Sequence, residues 1–502
     1  MKNRHARYSG FCAMAVLAAA VLLAPEWVAA ESRFYVDTDR KGLLSNGSAS
    51  APWQDLSGGT WAAITKALAG GPVTVYFNSR QQRMGRAVEL VQASARALGK
   101  NLLTFDGSSY YDSTEKRGLW IAETDPARKA PVEGFNAENL AHVKRSLVTI
   151  RGFKIIAQGG HKAVVIAGDN WTLENCDCSH APGAIRGPCV LVAATSDKKH
   201  EGSAAFTLPC TNIVIRGNNI HDSYGEAIYV GGGGSQPGEP GSGYPSHDNI
   251  LIESNIIHDA GTRGKQGDGI DVKGGISHVT IRGNDIYHLA SFENRCDVRA
   301  IVMQGQLRGL SQSYVVERNR IHDCTGIEDG AIAIVDTWGV SQSVNIRNNV
   351  IYNISGKPGR PPSGIKIYSS ADTVSLCNNT IEHCEGFGIF VVGGVHVILR
   401  NNLLLANHGG QAELGIKGVA AQSDYNAFEP PLGYASEGAH SLSLSAAQAA
   451  ASLVNLSGGD FRLSSGSSLA GKGEALSGFA DDFAGRVRGV DWAIGAFDAG
   501  SQ

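Results

Sequence analysis

Charge is scarce in this chain and nearly balanced: 44 Lys and Arg stand against 47 Asp and Glu, a formal net charge of −3 over 502 residues. A general nucleic-acid binder needs a strong basic surplus, so no nucleic-acid partner is expected, and any anionic partner must be met by a local basic patch. Long apolar runs are also missing. Beyond the N-terminus no stretch reaches the ~18 apolar residues that cross a bilayer, which argues against membrane insertion. Aromatics are few, at 7%, whereas glycine is abundant, at 63 residues, the balance of a chain that turns often. Nine cysteines are present, at spacings that match no zinc-finger template. Eight of them follow residue 30, an even number that permits disulfides in an oxidising compartment, although thiols stacked inside a repeat fit their positions better.

Residues 1–30 read as a secretory leader. Lys2, Arg4 and Arg7 form a basic start, Phe11 to Ala24 an apolar run, and Val28-Ala29-Ala30 a small-residue cleavage site. The expectation is a secreted or periplasmic, soluble, monomeric protein.

Repetition dominates the rest. One element recurs as an apolar residue, a polar pair, an asparagine and another apolar residue: Ile215-Arg-Gly-Asn218, Ile252-Glu-Ser-Asn255, Ile281-Arg-Gly-Asn284, Val316-Glu-Arg-Asn319, Ile346-Arg-Asn-Asn349, Leu376-Cys-Asn-Asn379 and Leu399-Arg-Asn-Asn402. The asparagines are 37, 29, 35, 30, 30 and 23 residues apart, so constant coils carry loops of variable length. A second element follows each of the first six, as in Glu226-Ala-Ile-Tyr-Val, Asp268-Gly-Ile-Asp-Val and Ser363-Gly-Ile-Lys-Ile. Both alternate apolar and polar residues, the pattern of a half-buried strand, and no helix-length segment separates them. Short strands that cannot form βαβ units bury their apolar faces by coiling, each pairing in parallel with its equivalent one turn later. The expected fold is all-β, a right-handed parallel β-helix. Residues 31–140 are read as an N-terminal cap with a candidate helix at Met84–Leu98, 141–410 as the catalytic coils, and 411–502 as a C-terminal cap. The pairs His221-Asp222, His258-Asp259 and His322-Asp323 fall at one bend and are read as turn chemistry.

Aligning the second strand of each coil places side chains in space. One line is Glu226, Asp268, Arg299, Gly330, Ser363, Phe387; a second, outward, is Tyr229, Asp271, Val302, Ala333, Lys366, Phe390; a third is Gly231, Lys273, Gln304, Val335, Tyr368, Val392. Parallel strands lie ~4.8 Å apart, so Glu226, Tyr229, Asp268, Asp271, Lys273 and Arg299 should gather on one exposed face, with the insertion Gly231 to His247 as a wall. Glu226, Asp268 and Asp271, with Gln266 nearby, are candidate Ca²⁺ ligands, since hard cations take several oxygens. A lysine close to other positive charge gives up its proton more easily than a solvated one, so Lys273 is the candidate base for abstracting a proton α to a sugar carboxylate. Tyr229 and Arg299 are candidate acids, and Lys366 is a reserve base.

Asp268-Gly-Ile-Asp-Val-Lys273, followed by Gly-Gly and Val279-Thr-Ile-Arg-Gly-Asn284, resembles the β-helical polysaccharide lyases related to chondroitinase B and some alginate lyases. The resemblance implies that Asp268 is a calcium ligand, Lys273 the Brønsted base and Glu226 a neighbour of the ligand from an earlier coil. The family's arginine falls near Met303 or Gln304, whereas Arg299 stands earlier on that coil. The substrate class so implied is an anionic, uronic-acid-containing polysaccharide cut by β-elimination. Three other readings stay open: a β-helical glycoside hydrolase using paired carboxylates, a uronan epimerase, and a non-catalytic carbohydrate-binding β-helix with an aromatic groove.

Overall fold

The computed structural model describes most of residues 30–500; the longer exceptions are 78–100, 109–117, 122–146, 193–209, 232–246, 305–311 and 336–341. The leader, the helix expected at Met84–Leu98, the body of the Gly231–His247 insertion and Cys296 lie outside the described residues.

Successive coils build three sheets, of thirteen, twelve and nine strands among the described residues, and every pairing within these sheets is parallel. In one coil the chain runs from Thr211–Arg216 through Asn219–His221 to Ile228–Val230, then re-enters the first sheet at Asp248–Glu253. The architecture is the parallel β-helix that the repeats predict. The register is the expected one across the six aligned strands of the nine-stranded sheet: Tyr229 pairs with Asp271, Asp271 with Val302, Val302 with Ala333, Ala333 with Lys366 and Lys366 with Phe390. Strands Ser32–Val36, Val73–Phe77 and Leu103–Asp106, within the segment read as an N-terminal cap, already belong to the thirteen-stranded sheet. Leu414–Lys417, Ala421–Asp424 and Ala427–Phe428 extend the three sheets into the segment read as a C-terminal cap.

A helix at Gly58–Leu68, not anticipated from the sequence, buries Trp61, Ile64 and Leu68 against the first coils. Their spacing puts them on one helical face, and Trp61 meets the Phe105 ring edge-on at 6.0 Å.

Two ladders and a stack fix the register. From Asn255 onward each repeated asparagine accepts from the backbone N–H and the side-chain amide of its counterpart one coil earlier, as Asn319 Oδ1 does from Asn284 N (3.0 Å) and Nδ2 (2.9 Å). The same Nδ2 groups donate to buried carbonyls, Asn319 to Ile281 O at 3.0 Å. The residue ahead of each asparagine has a positive φ, including Gly217, Ser254, Gly283, Arg318 and Asn348, which is why glycine and asparagine recur there. On the thirteen-stranded sheet an acid and an arginine alternate coil by coil: Asp106, Arg151, Glu174, Arg216, Glu253, Arg282, Glu317, Arg347. On the twelve-stranded sheet His221, His258, Tyr287, His322 and Tyr352 stack at 5.0–5.2 Å. The histidines of the three His-Asp pairs are in that stack, and Asp222, Asp259 and Asp323 adopt φ of 51–55° while hydrogen-bonding the preceding ring. Turn chemistry therefore accounts for these pairs. The seven described cysteines are buried, as expected of stacked thiols.

Candidate active site

The turns that enter three successive strands of the nine-stranded sheet each deliver one charged residue. Glu226, Asp268 and Arg299 stand in line, linked by hydrogen bonds from Ala227 N to Asp268 O (2.9 Å) and from Gly269 N to Arg299 O (2.8 Å). Two strands then add the outward pair Tyr229 and Asp271, and Lys273 donates its backbone N–H to Val230 O at 2.9 Å. All six predicted residues thus come together on one side of the solenoid.

Their exposure differs from expectation. The carboxylates were expected on an open face, yet Glu226, Asp268 and Asp271 are only 3%, 4% and 0% accessible. Two longer side chains roof them. Lys273 Nζ lies 2.7 Å from Asp271 Oδ2 and 5.4 Å from the centroid of the Tyr229 ring, so a molecule arriving from outside meets an amine and a phenol before any acid. Gly231 makes the roof possible: its φ is +150°, and a Cβ there would sit 2.8 Å from Lys273 Cβ.

Burial sets the protonation of the acids. It pushes the Glu226 carboxyl up to about 7, helped by the charge of Asp271 and opposed by a backbone hydrogen bond and Lys273. Asp268 is raised well above the carboxylate range by burial and then by Asp271, with Arg299 and Lys273 only partly offsetting them. The Tyr229 phenol is raised too, by burial first and then by Asp271 and Glu226, so it holds its proton at neutral pH.

Arg299 faces the next coil. Its backbone N–H donates to Asp268 Oδ1 at 2.6 Å, while its guanidinium donates to Asp329 Oδ2 at 2.7 Å. Lys366 Nζ donates to the other oxygen, Asp329 Oδ1, at 2.8 Å. Burial works to raise the Asp329 carboxyl, but the hydrogen bonds from Lys366 and Arg299 hold it below its ordinary value. Sequence reasoning missed Asp329. It stands one residue ahead of Gly330, just off the aligned line, and its place in the turn was the signal available. No group of three or more His, Cys, Asp or Glu among the described residues is placed to hold a metal ion. Of the three acids expected to bind calcium, Asp271 lies against Lys273 and Asp268 accepts from the Arg299 backbone.

A family model for the right handed beta helix region matches residues 203–404. The chain is a right-handed parallel β-helix. Among solved structures, this β-helix is similar to pectate lyase Pel9A, with 12% identity, 94% of this chain and 96% of that one covered, and a TM-score of 0.51. A complex of XylC with xylose aligns at 10% identity over 82% and 86% of the two chains, with a TM-score of 0.42. No curated protein matches. At 12% identity the likeness to the pectate lyase speaks to the fold of the β-helix alone.

Proposed function

We propose that this β-helix is an exported polysaccharide lyase that cleaves a uronic-acid-containing polymer by β-elimination. The observation that supports this best is the placement of the half-buried Lys273 and Tyr229 together, beside three buried acids on one sheet. Two proton-transferring groups are thereby held at a fixed spacing.

In the proposed reaction Lys273, whose ammonium pairs with Asp271 at rest, acts in its deprotonated form and takes the proton α to the sugar carboxylate. The C–H electron pair passes to the carboxylate-stabilised carbanion, then forms the ring double bond as the bond to the glycosidic oxygen breaks. That oxygen takes the phenolic proton of Tyr229, which its environment keeps in place. Arg299 supplies positive charge to the substrate carboxylate and stabilises the developing anion; Asp268 and Asp329 orient it through the 2.6 Å and 2.7 Å contacts. A hydrolase reading draws on a different observation. The Glu226 carboxyl, held near 7 beside other acids, suits an acid–base pair.

Purified uronic-acid polymers, each incubated with the protein, separate these readings. The lyase yields unsaturated chain ends that absorb in the ultraviolet, withstands chelator, and loses turnover in Lys273→Ala. Saturated reducing ends point to the hydrolase, unchanged chain length with altered sugar configuration to the epimerase, and binding without turnover to the non-enzymatic reading. Loss of activity on chelation, restored by Ca²⁺, would transfer the role of Arg299 to a metal.

A further inference from the structure

Farther along the same outward face lies a second group of side chains that the elimination does not use. Lys366 sits in register with Ala333 and Phe390, and Tyr368 with Val335 and Val392. Three strand steps separate this group from the Asp271 row, about 14 Å at ~4.8 Å per step.

We propose that Lys366, Tyr368 and Phe390 form a distal subsite for an acidic sugar of the same polymer. The chain then lies along the solenoid axis with its reacting residue at Lys273. This rests on the polysaccharide reading above and adds to it the direction of the chain and the chemistry that holds its far end. Charge is the first argument. Arg299 and Lys366 both donate to one carboxylate, that of Asp329, so two cations face it on this stretch. An ammonium has three donors, and Lys366 spends one of them on Asp329. Shape is the second. Tyr368 is 55% exposed, a large ring standing next to a cation, as required by a sugar that offers a C–H face and a carboxylate. The third is the platform below. Phe390 stacks on Phe387 with centroids 4.9 Å apart and planes 10° from parallel. Gly415 leaves room for both rings, since a Cβ there would come within 2.6 Å of Phe390 and 2.9 Å of Phe387. Between the two groups the strand residues Val302 and Ala333 are uncharged and buried, and the carboxylate that stands there, Asp329, is held by Arg299 and Lys366.

The test compares cleavage of long and short oligosaccharides of whichever uronan the panel identifies. Lys366→Ala and Tyr368→Ala are expected to lower the preference for long over short substrate, as a ratio of kcat/KM, by about tenfold, which corresponds to ~1.4 kcal/mol of binding. Lys366→Arg, which keeps the charge, should retain most of that preference, whereas a merely structural lysine would give no chain-length dependence. An unchanged long-to-short ratio in both alanine variants overturns the subsite. Should no uronan be cleaved, the lyase reading fails on its own. The subsite is then read by affinity electrophoresis through gels holding the same polymers: retardation lost in Lys366→Ala supports it, and identical migration of parent and variant overturns it.

Discussion

Removing Lys273 perturbs both stability and chemistry, and the two effects can be separated by pH. In Lys273→Ala the wholly buried Asp271 loses the ammonium 2.7 Å away. Stripping one partner from a buried ion pair costs about 3–5 kcal/mol. That cost has a ceiling, because the stranded carboxyl can take up a proton instead. Starting from an ordinary Asp value near 3.9, protonation costs about 4 kcal/mol at pH 7 but only about 1.5 kcal/mol at pH 5. The variant should therefore be destabilised by about 3–4 kcal/mol at pH 7 and by less than half of that at pH 5. Adding Asp271→Asn removes the stranded charge and should recover ~2–3 kcal/mol at pH 7, without restoring turnover. Urea unfolding midpoints for the parent, both single variants and the double variant, at both pH values, give the coupling directly. A Lys273→Ala protein as stable as the parent at pH 7, or equally weakened at both pH values, would refute the buried-pair reasoning. Near-parental turnover in the double variant would remove Lys273 from the chemistry altogether.

Asn319→Ala should cost on the order of 4 kcal/mol in urea unfolding, because it strands the Asn284 amide and the Ile281 carbonyl inside the coil; a loss under 1 kcal/mol would contradict the ladder's role. Glu226 and Glu413 are both pushed up to about 7 by burial. Each therefore stabilises the fold fully below pH ~4.5 and loses that contribution as pH rises through 7, up to about 3 kcal/mol each. Glu226→Gln and Glu413→Gln should flatten this decline between pH ~4.5 and 7 in a thermal-melt pH series, and a decline left intact in both variants would refute the assignment. His247 acts in the opposite direction. Burial pushes it down to about 4, so its contribution is complete above pH 6.5 and fades as pH falls toward 4. Gly231→Ala should lower turnover at least tenfold by crowding Lys273 Cβ, with little change in coil content by circular dichroism; normal turnover would mean that the Lys273 position is not constrained.

The coils were legible because their signal is local and repeated. An asparagine between apolar residues, met seven times, predicts a stacked bend, and the structure builds that bend from side-chain amides. The register of the nine-stranded sheet followed from the same alignment, which is why the six candidate residues gather where expected. Burial was not legible. In a strand, alternation says that Asp271 points away from the core, but not that Lys273, two residues on, folds back over it. The Asp106–Arg151–Glu174–Arg216 alternation also escaped notice, because its partners are tens of residues apart and each arginine by itself reads as an ordinary surface charge. The helix Gly58–Leu68 was overlooked because its apolar stripe of Trp61, Ile64 and Leu68 is short and glycine-led.

The three sheets carry different burdens, and that division argues for where function lies. On the thirteen-stranded sheet the outward position alternates acid and arginine over eight coils, and on the twelve-stranded sheet an outward position stacks five rings. Such regularity has a structural cause: a slip of one residue would break every pair at once. The nine-stranded sheet follows no such rule. Its outward line runs Tyr229, Asp271, Val302, Ala333, Lys366, Phe390, six different residues that form no repeating pair. With register already held by the other two faces and the asparagine ladder, this face is free to place costly groups, and it does so in Glu226, Asp268 and Asp271, acids buried under an amine. A solenoid that only needed to stack would gain nothing from that arrangement, since apolar residues of similar volume are commonly as stable as a buried ion pair or more so. Three such acids cluster around Lys273, and that is the physical reason to look for chemistry there.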